Sequence, residues 1–314
     1  MKIAILGAGA MGMLFGGRLS KENEVVLIDI DHTKVETINK DGIRIQEPDG
    51  RVAAFHPKAV FSADRFGEMD LVIVFVKSMD SQGALTANKQ LIGQGALVMS
   101  LQNGSGHDSV MKEFAAPDKI VIGTTQHNSS IIEPGAVHHG GSGKTFIGSM
   151  TGDGSRLRAV EATLNRCGFE TEISDNIQKK IWEKLFINAS ASALTAVLQT
   201  KLGFLAESEH AWLLVCRLIK EAVEVANGDG MGFDEDEIRA QVRGLLERAQ
   251  DGYTSIYADI RDGRKTEVDT ISGAVVAASK RNGVPAPGHE FVVGLIHAME
   301  HRREIQDNSR GKRQ

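Results

Sequence analysis

The chain has 314 residues, 41% of them hydrophobic and 25% charged, with a formal net charge of −5. This is the composition of an ordinary globular protein, long enough for two domains. A net negative charge with no basic stripe excludes a nucleic-acid footprint, and no segment approaches the ~18 apolar residues of a membrane span.

The first predicted element is a strand, Lys2–Leu6, too short for a secretory leader and running straight into Gly7-Ala8-Gly9-Ala10-Met11-Gly12. A helix over Met13–Leu19 follows, then a second strand, Glu24–Asp29. Strand, three-glycine turn, helix and a strand closing on a carboxylate form the first βαβ unit of a dinucleotide-binding fold. Gly7 permits the tight turn, Gly9 lets the backbone approach a pyrophosphate, and Gly12 lets the helix lie close on the strand. The backbone of this turn, including Ala8, Ala10 and Met11, and the positive end of the helix are expected to hold the phosphates. A strand–turn–helix with no ligand is the bland reading of the same residues.

Asp29 bears on which dinucleotide is bound. A carboxylate at this strand end accepts both ribose hydroxyls of NAD and repels a 2′-phosphate, so NADH is favoured over NADPH. Lys34 is the one strong base close enough to offset that preference, and Asp31 reads as a helix N-cap.

Further strands are predicted at Leu71–Val76, Ala96–Ser100, Lys119–Thr125 and Glu170–Ser174. Their apolar residues are consecutive, which marks strands buried on both faces of a parallel sheet. Lys77 and Asn103 lie just beyond two of these strands and project towards the nicotinamide end of a bound cofactor. The stretch from Gly135 to Gly148 reads as glycine-rich and hairpin-like, and His138-His139 has no nearby acid or cysteine to make a metal site.

From Asn176 the strand signals stop, and helices are predicted over Ile177–Leu198, Ser208–Gly228, Asp234–Ala249 and Thr266–Asn282. The expected organisation is α/β: a Rossmann-type, mostly parallel sheet over residues 1–174, an all-helical domain over 175–304 and a frayed basic tail over 305–314. Without a Pro- or Gly-rich linker the junction is expected to be tight and to form a cleft, the helical domain facing the carboxyl ends of the strands. The helical domain also offers surface for a homodimer. Cys167 and Cys216 read as free thiols, which suits a reducing cytoplasm.

A bound nicotinamide implies hydride transfer, which needs an acid for the carbonyl oxygen and donors for the substrate. Lys184 and Asn188 are four residues apart, share a helix face and are extended by Ser192. Two readings of Lys184 stand: a snorkelling surface lysine, or a buried amine whose pKa falls into the range of a general acid. Ser255 reads either as a polar loop serine or as a donor to a substrate carboxylate. Lys265-Thr266-Glu267-Val268-Asp269 is expected to open a helix with Thr266 as N-cap. Glu267 is then a first-turn acid, or a partner for the Lys184 ammonium or a substrate hydroxyl.

Taken together, the glycine turn, Val76-Lys77, Leu101-Gln102-Asn103-Gly104, Trp182-Glu183-Lys184-Leu185 with Asn188, Thr254-Ser255-Ile256-Tyr257, Thr266-Glu267-Val268-Asp269 and Gly283-Val284-Pro285-Ala286-Pro287 resemble the ketopantoate reductase family, in order and over nearly the whole chain. The resemblance implies a Rossmann domain followed by a helical one. It implies Lys184 as the catalytic acid, Asn188 and Ser255 as substrate contacts, and Glu267 as the acid of the closed cleft. It further implies Lys77 and Asn103 on the nicotinamide side, with the backbone of Gly123 meeting the cofactor. Ser192 stands where the family usually has a second asparagine, Ser272 replaces another, and Leu202 replaces a third. With Asp29 in place of a base, the pattern is similar to the family's NAD-dependent D-2-hydroxyacid dehydrogenases, which reduce branched 2-oxo acids.

The expected function is reduction of a 2-oxo acid, ketopantoate first and other branched 2-oxo acids as the alternative. A non-catalytic NAD-sensing protein would need the glycine turn and Asp29 but not the lysine–asparagine face. The β-hydroxyacid dehydrogenases also use a helical lysine, but the Thr266–Asp269 segment does not resemble theirs.

Overall fold

The computed structural model describes residues 1–151 and 156–311. Two compact units make up the chain: Met1–Gln102 with Gly106–Lys180, and the tripeptide Asn103–Ser105 with Ile181 to the C-terminus.

The first unit runs β1 (Lys2–Leu6), α1 (Ala10–Leu19), β2 (Glu24–Ile28), α2 (His32–Asp41), β3 (Ile43–Gln46), β4 (Val52–Phe55), β5 (Lys58–Val60), β6 (Leu71–Val74), α3 (Ser81–Ala87), β7 (Leu97–Ser100), α4 (His107–Met111), β8 (Ile120–Thr125), β9 (Asn128–Glu133), β10 (Ala136–Gly141), β11 (Thr145–Ser149), α5 (Leu157–Arg166) and β12 (Thr171–Ile173). Eight strands form one sheet in the order β12-β11-β8-β7-β6-β1-β2-β5, parallel throughout except where β11 meets β8. The continuous apolar runs of β6 and β7 are buried along their whole length, as a sheet covered on both faces requires.

A second sheet, β4-β3-β10-β9, was not anticipated from the pattern. Its strands are short, and the parallel β3–β10 pairing joins residues about ninety apart, so local periodicity carries little of it. The region from Gly135 to Gly148 is accordingly not a hairpin. β10 pairs with β9 and β3, β11 pairs with β8 and β12, and the glycine-rich link crosses from one sheet to the other. Helix α1 contacts strands of both sheets, and its Phe15 stacks on Phe169 at 3.9 Å between ring centroids. Beside it runs a row of polar groups: Arg18 donates to Glu47 at 2.6 Å, Glu47 holds His139 Nδ1 at 2.7 Å, and His139 Nε2 meets His127 Nδ1 at 3.0 Å. His139 is thus a structural residue of β10, and among the described residues no group of three or more His, Cys, Asp or Glu is placed to hold a metal.

The second unit is helical: α6 (Ile177–Leu198), α7 (Leu202–Glu207), α8 (Glu209–Gly228), α9 (Glu235–Arg248), α10 (Ser255–Asp262), α11 (Ser272–Asn282) and α12 (Pro287–Gly311). From Ile181 onward α6 is apolar nearly all round, with Trp182, Leu185, Phe186, Ala189, Ala191 and Ala193 in the core, the signature of a central helix. Phe186 packs edge-on to Phe233 at 4.8 Å.

The division into compact units falls at Lys180, inside α6, a few residues beyond the expected 174, because the first turn of that helix packs on the sheet: Ile177 fills the space left by Gly148, and Lys180 Nζ lies 5.1 Å from the Phe146 ring. Two expectations are corrected here. Lys265–Ile271 does not open a helix, since α11 starts only at Ser272. Instead the Thr266 N–H donates to Glu300 Oε1 at 2.7 Å, and Thr270 and Ile271 both donate backbone N–H groups to the Glu267 carbonyl at 3.2 Å, a turn that carries Glu267. The basic tail continues α12 as far as Gly311, as good helix formers such as Arg, Gln and Glu permit, while residues 312–314 lie outside the described residues. Cys167 and Cys216 are both free thiols, and among the described residues no helix is long and apolar enough to cross a membrane.

Candidate active site

In the first unit, Gly7 sits at φ +99° and donates its N–H to the Ile28 carbonyl at 2.8 Å, closing the turn against β2. A Cβ on Gly12 would stand 1.9 Å from the Gly7 carbonyl oxygen, so any larger residue separates helix from strand. Gly9 differs. It is the N-cap of α1, and a Cβ there would meet no protein atom within 4 Å. Its openness is therefore not demanded by the protein's own packing. The first turn of α1 has no side-chain cap and no acidic residue, leaving its N–H groups and positive dipole end for an anion. These features fit a dinucleotide pyrophosphate.

Asp29 follows β2, where one carboxylate oxygen accepts from the Ala8 N–H at 2.7 Å and the other from the Asp31 N–H at 2.9 Å. Lys34 lies 3.5 Å from Asp29 and 3.8 Å from Asp31, and Asp31 caps α2. Lys34 is thus paired with two acids. Lys77 is half-buried just beyond β6. A glycine at 123, buried in β8, is explained by packing, because a Cβ there would meet the Phe146 carbonyl oxygen at 2.4 Å and Leu101 at 2.7 Å.

The second unit brings together Lys184, Asn103 and Glu267. Lys184 occupies the first full turns of α6 beyond the boundary, flanked by the core residues Leu185 and Phe186. Its Nζ donates to Asn103 Oδ1 at 2.9 Å. Burial of the ammonium, opposed by the negative charge of Glu267, lowers its pKa from 10.5 to about 8. The side chain as a whole is only partly buried, so the amine is enclosed without being sealed off. An amine with such a pKa carries its proton at neutral pH and releases it easily, the behaviour of a general acid.

Asn188 lies one turn along the same face of α6 and is half-buried, whereas Ser192, a turn further, is 2% exposed. Thr254 caps α10 and shares a 2.8 Å hydrogen bond with Thr195 of α6, so the start of α10 is tied to the stretch that carries Ser192. Ser255 is the first residue of α10 and is exposed. Two further residues of the Leu101-Gln102-Asn103-Gly104 motif act as supports. Gln102 donates to the Val76 carbonyl at 2.6 Å and to Ser81 Oγ at 2.9 Å, fastening together the loops after β6 and β7. The Ser105 N–H pins the Asn103 loop to the Thr270 carbonyl at 2.9 Å, and Gly104 leaves room for that approach, a role visible only when the two segments are side by side.

Residues 3–152 match the family described as ketopantoate reductase PanE/ApbA, and residues 176–300 match its C-terminal region. The chain is 32% identical over 302 residues to the 2-dehydropantoate 2-reductase of Halobacterium salinarum, covering 96% of this chain and 99% of the relative. It is 31% identical over 301 residues to that of Pyrococcus horikoshii, covering 96% and 98%. Among solved structures it is similar to D-mandelate dehydrogenase in its ternary structure with NADH and anilino(oxo)acetate. There the identity is 31%, the TM-score 0.89, and the coverage 96% of this chain and 99% of that one.

Proposed function

The chain belongs to the ketopantoate reductase family of NAD(P)-dependent oxidoreductases, and on that premise we propose that it reduces 2-dehydropantoate to pantoate. The observation that carries the reading is the Lys184 amine, held by Asn103 and set to a pKa of about 8. Bound NAD(P)H supplies the hydride for C2 of the 2-oxo acid. Lys184 gives its proton to the C2 oxygen as negative charge grows there, an interaction strongest in the transition state and therefore one that raises turnover. Asn188 and Ser255 orient the substrate, with Ser192 behind them. Glu267 keeps the lysine charged and offers an acceptor to a substrate hydroxyl. Gly7 to Gly12 hold the pyrophosphate, and Lys77 stands on the nicotinamide side.

NADH is the preferred reductant on this reading, because Asp29 repels a 2′-phosphate while Lys34 is committed to Asp29 and Asp31. The free thiols of Cys167 and Cys216 suit a reducing cytoplasm. A second reading, an NAD-dependent D-2-hydroxyacid dehydrogenase for other branched 2-oxo acids, is favoured by one combination. Asp29 stands where a base would serve NADPH, and Ser192 and Ser272 are both fully enclosed. Initial rates with NADH and NADPH on 2-dehydropantoate and on 2-oxoisovalerate separate the two. A dedicated pantoate enzyme rejects the analogue lacking the hydroxyl by orders of magnitude. Equal efficiency on both acids supports the second reading, and no reduction of either acid with either nucleotide overturns both.

A further inference from the structure

We propose that Gly104 and Thr270 form a backbone clasp that makes the two groups acting on Lys184, Asn103 and Glu267, a single positioning unit. Gly104 is held at φ +94°, a region that side chains disfavour, and a Cβ on it would lie 1.9 Å from the Thr270 carbonyl oxygen. That same oxygen accepts the Ser105 N–H at 2.9 Å. On the other side, the Thr270 N–H donates to the Glu267 carbonyl at 3.2 Å, and its Oγ1 donates to the same oxygen at 3.3 Å. The chain of contacts therefore runs from the Asn103 carboxamide through Gly104 and Thr270 to the peptide that bears Glu267. All of these residues lie in the second unit, although Asn103–Ser105 is separated from the rest of it by the sequence from Gly106 to Lys180.

The two orienting groups differ chemically. A carboxylate attracts the ammonium strongly but loses most of that attraction once the proton has left. An amide oxygen accepts an N–H from either an ammonium or an amine. Asn103 is thus a positioning residue that keeps Nζ in place on both sides of the proton transfer, while Glu267 sets how readily the proton is held. Their shared clasp keeps the two contributions in register.

The inference rests on the proposed role of Lys184, so the test includes a readout that needs no turnover: NMR titration of the Lys184 amine in lysine-labelled full-length protein. Asn103→Leu keeps the side chain's shape and removes the acceptor. It is expected to lower the Lys184 pKa by about half a unit or more, since the charged form loses a hydrogen bond. It is also expected to lower kcat about 10- to 100-fold, with a smaller change in KM. Gly104→Ala is compared with Gly106→Ala. Gly106 has nearly the same φ, +93°, but a Cβ there meets nothing within 4 Å, so it reports the conformational penalty alone. Gly104→Ala is expected to shift the lysine titration and to lower kcat at least about 10-fold further than Gly106→Ala. The clasp is overturned if Gly104→Ala behaves as Gly106→Ala does in both readouts, or if Asn103→Leu leaves both unchanged. If Asn103→Leu fails to fold, the glycine pair decides alone. Should the wild-type protein reduce no 2-oxo acid, the proposed function falls, and the titration still supports or refutes the clasp.

Discussion

The Asp29 carboxylate accepts the backbone N–H of Ala8 at 2.7 Å, so the group proposed to select the nucleotide also anchors the glycine turn. Replacing Asp29 by Ala should raise KM for NADH about 10- to 100-fold and leave KM for NADPH nearly unchanged, since the repulsion goes with the acceptor. Rates with both nucleotides check this. An equal loss with each would make Asp29 a purely structural anchor.

The glycine turn separates binding from folding. Gly9→Ala adds a methyl where no protein atom lies within 4 Å and keeps a permitted φ of −74°. The fold should survive with little change in Tm, while dinucleotide affinity falls about 10-fold or more because the methyl occupies the pyrophosphate's approach. Gly12→Ala should instead destabilise the unit by about 2 kcal/mol or more, by forcing α1 off β1. Thermal unfolding and nucleotide titration of both variants test the contrast.

Lys184→Ala should lower kcat about 10²- to 10⁴-fold, the usual scale for a general acid. Lys184→Arg should not restore it, because a guanidinium holds its proton too firmly to act as the acid. In the wild type, kcat/KM for reduction should be flat at neutral pH and decline as pH rises through about 8, where the ammonium loses its proton. Oxidation of the hydroxy acid needs the neutral amine and should show the mirror-image profile, which initial rates in both directions across this range would check.

The same burial makes Lys184 a thermodynamic liability. Its folded pKa, about 8, is below the ordinary 10.5, so the penalty for holding the charge is complete below pH 8 and fades between pH 8 and 10.5. Lys184→Met should therefore stabilise the protein at pH 7 by on the order of 2 kcal/mol, and by less at pH 10, while abolishing activity. Denaturant midpoints at the two pH values measure this.

In the first unit, burial and the neighbouring His139 charge push the His127 pKa down to about 4. Its Nε2 is buried and has no hydrogen-bond partner. The unfolded chain takes up this proton near pH 6.5, so the stability that neutral His127 contributes is present above that value and is lost as pH falls towards 4. His127→Leu should flatten this acid limb, which amounts to up to about 3 kcal/mol. An unchanged pH dependence of unfolding would assign the acid sensitivity to other groups.

Much of the fold could be read in advance because its signals are local. β1 and α6 match their predicted spans to the residue, since an unbroken apolar run and an unbroken helical period each announce themselves. The second sheet escaped notice because Ile43–Gln46 acquires its partner only from residues 136–138, a pairing no window of sequence contains. At the site, the helix face of Lys184 and Asn188 was legible from four-residue spacing. The turn at Glu267 was mistaken for a helix start because Thr266 followed by an acid has the composition of an N-cap. What decides otherwise is Glu300, which takes the Thr266 N–H from a helix more than thirty residues away. Gly104 is legible only as part of the Leu101-Gln102-Asn103-Gly104 motif, because the reasons for a glycine there, a φ of +94° and the nearby Thr270 carbonyl, exist only in the folded chain.

The three residues Asn103–Ser105, inserted into the helical unit from within the sheet-forming sequence, make this protein poorly suited to being taken apart. A gene cut at Lys180 would yield a C-terminal fragment whose lysine had lost its amide partner and whose Thr270 carbonyl had lost its strap. A fragment limited to the helices would need to carry this tripeptide with them and not with the strands that surround it in the gene.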